Sequence, residues 1–262
     1  NCFGLLDITI VRHFLRWQRT YEPITDQWIG ASSIFDALVS MATFRLNEDK
    51  AEEATVVGDN EVSYKARSIY HPFLGEKAVH NNFDIQNHEY YIITGANMAG
   101  KSTFLRTLGV NYILAMNGLP VFAEEMRVSV FRLFTNMRTT DDLTHGISYF
   151  NAELLRLKQL IASLDPNVPS LIILDEILKG TNSLDKLNGS RLFLEYISER
   201  NVTGVIATHD LELSKLEDEN PQRFHNYSFE IELGTDVTYT YKIGRGVARN
   251  QNATFLLKQI LV

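Results

Sequence analysis

Gly95-Ala96-Asn97-Met98-Ala99-Gly100-Lys101-Ser102-Thr103 sets two glycines, an ammonium and two hydroxyls within one short stretch. In the pattern G-x-x-x-x-G-K-[ST], successive backbone N–H groups and the positive end of a helix converge on phosphates. Lys101 then reaches the outer phosphates, and the Ser102 hydroxyl is a magnesium ligand. Phosphoryl transfer needs charge neutralisation and a positioned nucleophile more than covalent help. Asp175 is a candidate to hold Mg²⁺ directly or through water, and Glu176 beside it to orient and deprotonate the attacking water. The same pair would also serve as an acidic cap on the segment that follows. His209 is a candidate sensor of the terminal phosphate, although a histidine at a strand end is more often a satisfied polar residue. Taken from the residues alone, the chemistry is that of a magnesium-dependent nucleoside triphosphatase.

These groups act together only if the elements carrying them end at one place. Tyr91-Ile92-Ile93 reads as an apolar strand ahead of the loop, and a helix runs from near Ser102 to Asn117-Gly118. Leu171-Ile172-Ile173-Leu174 and Val202 to Ala207 are short, continuously apolar runs of the kind buried on both faces of a parallel sheet. The first ends at Asp175, the second at Thr208-His209. Ahead of the first, Phe150, Leu154, Leu157, Ile161 and Leu164 repeat at helical spacing, and between the two a further helix occupies about 185–200. Alternating strands and helices predict βαβ units, whose ligands gather at the strand C-termini. Tyr227, Phe229, Ile231 and Leu233 alternate with polar residues, as do Val237, Tyr239, Tyr241 and Ile243 across Gly234-Thr235-Asp236, so this region reads as a hairpin. A short helix is expected over about 251–261. Val62 to Ile69 reads as β-rich and 81–87 as a polar, turn-rich lead into the first strand.

The first 55 residues are separate in character: Ile34, Leu38 and Met41 recur on one helical face, and the charged stretch Asn47 to Glu53 reads as a connection. A chain of 262 residues, 45% hydrophobic, can bury a substantial core. No uninterrupted apolar run approaches the roughly 20 residues of a membrane helix, so no membrane segment is expected. The first residue is not Met and no signal-peptide pattern follows, so the sequence reads as an excised segment. A single cysteine, Cys2, fits a reducing, cytoplasmic setting. The net charge of −7 argues against a generic electrostatic nucleic-acid binder. The basic stretch Arg12 to Arg19 reads as a solvated helix face.

The stretch Ile93 to Thr103 resembles the phosphate loop of the MutS mismatch-repair family, whose usual form is TGPNMGGKST, with Asn97-Met98 as the distinguishing pair. Asp141-Asp142-Leu143, Ser148-Tyr149-Phe150, Leu174-Asp175-Glu176-Ile177, Gly180-Thr181 and Ala207-Thr208-His209 follow in the order that family uses. The resemblance implies an α/β P-loop NTPase domain of ABC-like architecture over 56–262, preceded by a helical segment over 1–55 similar to the end of the family's lever. It implies ATP and Mg²⁺ as ligands and a homodimer with composite sites, in which Ser148 reaches the partner's nucleotide. Read alone, Ser148 is equally the N-cap of the Phe150 helix. Asn97 would contact phosphate in its own subunit, and Thr181 and Asp185 would lie in the loop crossing the dimer interface. Ala96 and Ala99 stand where the family usually has proline and glycine, and Ile177-Leu178-Lys179-Gly180-Thr181 replaces IGRGT, which suggests a divergent branch. The family's adenine-stacking aromatic has no clear equivalent around Ala78 to His80; Tyr241 is the substitute candidate. The family's mismatch-reading Phe-x-Glu wedge is not found, since Phe193-Leu194-Glu195 falls within a helix of the ATPase part. Any DNA contact is therefore expected through regions outside this chain. A nucleotide-gated interaction module with little hydrolysis is the alternative reading. An ABC transporter subunit is disfavoured by the lack of an LSGGQ-like stretch before Asp175.

Overall fold

The computed structural model describes residues 2–48, 51–137, 149–179, 182–233 and 237–249. The chain divides into two compact units, Asn1–Asp49 and Lys50–Val262.

The first unit is one helix, α1 (Cys2–Asn47), with Pro23 inside it. Thr9, Thr20, Thr25, Ser33, Ser40 and Thr43 each donate a hydroxyl to the carbonyl four residues earlier, so these polar side chains are satisfied along the helix itself. None of its described side chains is buried. Phe14, Trp17, Tyr21 and Trp28 form a ladder of ring contacts with centroids 5.7–6.1 Å apart. Ile34 and Leu38, the expected packing face, are exposed. By length and composition alone α1 could cross a membrane, a test that helices of soluble proteins also pass.

The second unit contains two sheets. Strands β1 (Thr55–Val57), β2 (Tyr64–Ile69), β3 (Asn81–Ile85) and β5 (Glu125–Ser129) form the smaller one in the order β1-β5-β2-β3. The larger one is built from β4 (Tyr90–Gly95), β6 (Arg132–Asn136), β7 (Ser170–Asp175), β8 (Val202–Ala207), β9 (Phe224–Leu233) and β10 (Val237–Arg245), in the order β10-β9-β4-β8-β7-β6. All its pairings are parallel except the β9–β10 hairpin. Among the helices that pack here are α2 (Lys101–Met116), α3 (Tyr149–Ser163) and α4 (Ser183–Ser198). Phe104, Leu105 and Leu108 of α2 join one core with Tyr64, Ile85 and Met126 of the small sheet and Ile93, Ile173 and Val205 of the large one. Leu157 and Leu160 of α3 and Phe193, Leu194 and Ile197 of α4 join a second core with Ile92, Ile172, Leu174 and Ile206 on the opposite face. Because β4, β7 and β8 are covered on both faces, their sequences are apolar runs without alternation.

Two expectations change. Residues 81–85 are a strand rather than a turn-rich lead: Asn81, Phe83 and Ile85 are buried while Asn82 and Asp84 are exposed. Asn81 obscured this alternation, because it is a polar residue facing inward, where its amide donates to the Tyr241 carbonyl and accepts from the Ile243 N–H. The buried face of α3 also differs from the expected one. Leu154 is 41% exposed, whereas Glu153 is 1% exposed and shares the buried face with Leu157 and Leu160. The helix expected over about 251–261 and the hairpin turn at 234–236 lie outside the described residues.

Candidate active site

Three strand ends meet in one row. Ile93 of β4 pairs with Ala207 of β8, and Ala207 pairs with Asp175 of β7. Just past this row the Thr208 N–H donates to the Ile93 carbonyl at 2.9 Å, and the Glu176 N–H donates to the Ala207 carbonyl at 2.8 Å. With neighbouring strands about 4.8 Å apart, the 95–103 loop, Thr208-His209 and Asp175-Glu176 leave the sheet side by side.

The loop is shaped by its glycines. At Gly95 the backbone has φ +153°, and a Cβ would stand 2.8 Å from the Phe229 carbonyl oxygen of β9, so only glycine fits. Gly100, at φ +112°, is the N-cap of α2, with no side chain capping the first turn. The N–H groups of that helix start therefore point into the loop uncapped by any side chain, as an anion site requires. Ala96 and Ala99 are buried, Asn97 and Met98 exposed, Ser102 half-buried and Thr103 exposed. Met98 holds a positive φ of 66°.

Lys101 is 6% exposed, and its ammonium donates to the carbonyls of Gly95 at 2.7 Å and Ala96 at 2.9 Å. Burial pulls its pKa down to about 8, with the Asp175 and Glu176 carboxylates opposing the shift. Nδ1 of His209 lies 3.4 Å from the same ammonium. Burial, and then the Lys101 charge, hold the histidine below its ordinary pKa, which favours the neutral ring.

Asn97 to Thr103 line a cavity of about 450 Å³, together with His209, Tyr241, His71 and Val79. Asp175 and Glu176 do not line it; they sit past Lys101, close enough to act on its charge. Tyr241 reaches the cavity from a register shift in β10 between Tyr239 and Ile243, with a positive φ of 52°, and its ring stacks on Tyr239. Within Ala78 to His80, Val79 lines the wall and His80 stacks on Tyr70, centroids 4.3 Å apart. Tyr70 and His71, which the motif reading passed over, also line the cavity.

At the carboxylate end, Glu176 takes a left-handed φ of 64°. Its Oε1 accepts from the Lys186 ammonium at 2.8 Å, and Oε2 lies 4.0 Å from that of Lys179. Burial raises its pKa, but Lys186, His209 and Lys179 outweigh burial and hold it below the ordinary value. Beneath it, the buried Glu153 carboxylate accepts from the N–H groups of Leu178 and Lys179, both at 2.8 Å. Neither Lys186 nor Glu153 belongs to a motif; only a glutamate interrupting the apolar face of α3 signalled the latter. Asp185 opens α4, where its N–H donates to the side chain of the N-cap Asn182. Ser148 and Thr181 lie outside the described residues. Among the described residues no group of three or more His, Cys, Asp or Glu side chains could hold a metal; Ser102 and Asp175 would supply two oxygens, a number Mg²⁺ accepts when phosphates and water complete its shell.

The family model of MutS domain V matches residues 91–255. DNA mismatch repair protein MutS of Caldicellulosiruptor saccharolyticus is 31% identical over 226 residues, covering 82% of this chain and 26% of that protein. The protein of the same name from Acetivibrio thermocellus is 32% identical over 203 residues, 74% of this chain and 23% of the relative. That from Clostridium botulinum is 31% identical over 257 residues, 92% and 26% respectively. The chain thus spans about a quarter of the length of the curated relatives it matches.

Proposed function

The chain belongs to the MutS family, with its match in domain V, and from that premise we propose that residues 56–262 form a P-loop ATPase module of ABC-like architecture. The observation that supports this most is the row of parallel strand ends from which the 95–103 loop, His209 and Asp175-Glu176 leave side by side, the loop and His209 lining one cavity. The residues suit a nucleoside triphosphate. The helix start is free of side-chain caps, the loop backbone admits only glycine at its base, and a volume of about 450 Å³ lies in the usual range for small-ligand sites. When bound, Mg-ATP supplies the scissile phosphoanhydride bond and the divalent charge. The loop N–H groups and Asn97 hold the phosphates, and Lys101 leaves its two carbonyl acceptors to neutralise the outer ones. Ser102 and Asp175 hold the metal. Glu176 orients water and takes its proton, His209 senses the terminal phosphate, and Tyr241 stacks on the base.

In this reading two copies close on composite sites, each completed by Ser148 of the other, with Thr181 and Asp185 at the interface. Closure and reopening act through the 1–55 helical segment on DNA-binding regions outside this chain, in a role related to mismatch repair, as the names of the relatives suggest. A second reading, a nucleotide-gated interaction module with little hydrolysis, is favoured by the engagement of Glu176 with Lys186 and Lys179. Turnover measurements separate the two. Lys101→Ala is expected to weaken ATP binding about tenfold or more, because a buried charge-assisted contact is lost; unchanged affinity by titration counts against the loop assignment. Glu176→Gln is expected to keep ATP binding and lose hydrolysis; normal turnover removes Glu176 from the base role.

A further inference from the structure

We infer that Glu153 is a positioning residue for Glu176, fixing the turn through which α3 holds the hydrolytic end of the site. The inference rests on the reading of Glu176 as the base.

A carboxylate that is 1% exposed is costly to bury and persists where specific donors compensate it. Both donors of Glu153 are backbone N–H groups, of Leu178 and Lys179, in the turn that begins at Glu176. This turn carries two bulky residues at positive φ, Glu176 at 64° and Leu178 at 57°. Such conformations are strained and last only when their surroundings impose them. The surroundings here can be named. The Ala207 carbonyl holds the Glu176 N–H at the start of the turn, and Glu153 holds its end. The Leu178 side chain lies over Gly189 of α4, where an added Cβ would come within 2.4 Å of it. Of these anchors only Glu153 belongs to α3, whose first residue follows Ser148 in sequence. A displacement of α3 therefore pulls, through two hydrogen bonds, on the backbone two and three residues after Glu176.

Glu153→Gln keeps the volume and leaves one acceptor for two donors. With Mg-ATP as the probe, kcat should fall about ten- to a hundredfold, since small misplacements of a reacting group cost that much, while KM and ATP affinity stay within about twofold. In a Glu176→Gln background the same change should lower turnover no further, because Glu153 acts only through Glu176. Should Glu153→Gln fail to fold, as judged by circular dichroism, Glu153→Asp, which keeps the charge and shortens the reach, is read by the same criteria. A Glu153 variant with wild-type kcat, or one that loses ATP affinity in step with turnover, overturns the positioning role while leaving the base in place. Wild-type hydrolysis by Glu176→Gln alone overturns the base assignment and the inference with it.

Discussion

The two ends of the site are built from different materials. At the phosphate end the backbone does the shaping: Gly95 and Gly100 take positive φ, the α2 start lacks a side-chain cap, and Lys101 is held by carbonyls of its own loop. At the carboxylate end the shaping comes from side chains distant in sequence: Glu153 binds the turn from below, and Lys186 occupies one oxygen of Glu176. A contiguous stretch of chain therefore specifies the first end, whereas three separate elements must agree to produce the second.

Substitutions should expose this contrast. The largest effect is expected at the carboxylate end, where Glu176→Gln should lower steady-state ATP turnover by about 10²- to 10⁴-fold, the usual worth of a positioned general base, with binding intact by calorimetry. At the phosphate end the counterpart is a loss of fold as well as of binding. Gly95→Ala drives a Cβ against the Phe229 carbonyl and should cost about 1–3 kcal/mol in denaturant unfolding; an unchanged midpoint would mean that β9 yields and that the backbone does not define the cradle. Lys186→Met should act in the opposite direction. Freeing Oε1 of Glu176 from an ion pair worth up to about 1 kcal/mol should raise turnover about two- to fivefold, and a fall would make Lys186 a support of the base instead of a restraint.

A last effect is electrostatic and is read in stability rather than in turnover. Burial lowers the pKa of Lys101 from 10.5 to about 8, so between these values the unfolded chain binds more protons than the folded one. The cost of burying the ammonium is fully present below pH 8 and is relieved as pH rises toward 10.5. In the nucleotide-free protein, the stability of wild type relative to Lys101→Met should therefore increase with pH across that window, measured by chemical unfolding.

The 95–103 loop was legible as a turn between strand and helix because its residues are neighbours and because strands buried on both faces announce themselves as apolar runs; β8 spans the expected Val202–Ala207. At the carboxylate end, Asp175-Glu176 could be placed at the close of β7, but their supports could not. Periodicity in α3 selects Leu154 for the core, yet that residue is 41% exposed and the place on the buried face goes to Glu153, whose partners are backbone N–H groups with no sequence signature. For β3 the same kind of fact intervenes: Asn81 faces inward because it has satisfied partners on β10, and composition alone reads it as a turn. Polar residues inside a core are chosen by contacts that form only after the chain has folded.

The aromatic ladder of α1 bears on how the chain behaves in bulk. Phe14, Trp17, Tyr21 and Trp28 expose apolar rings along a helix that buries no described side chain, and surfaces of that kind attract one another. A net charge of −7 keeps copies apart at low ionic strength. Added salt shortens the range of that repulsion and leaves the attraction between rings in force. The ladder thus ties the colloidal stability of this chain to ionic strength.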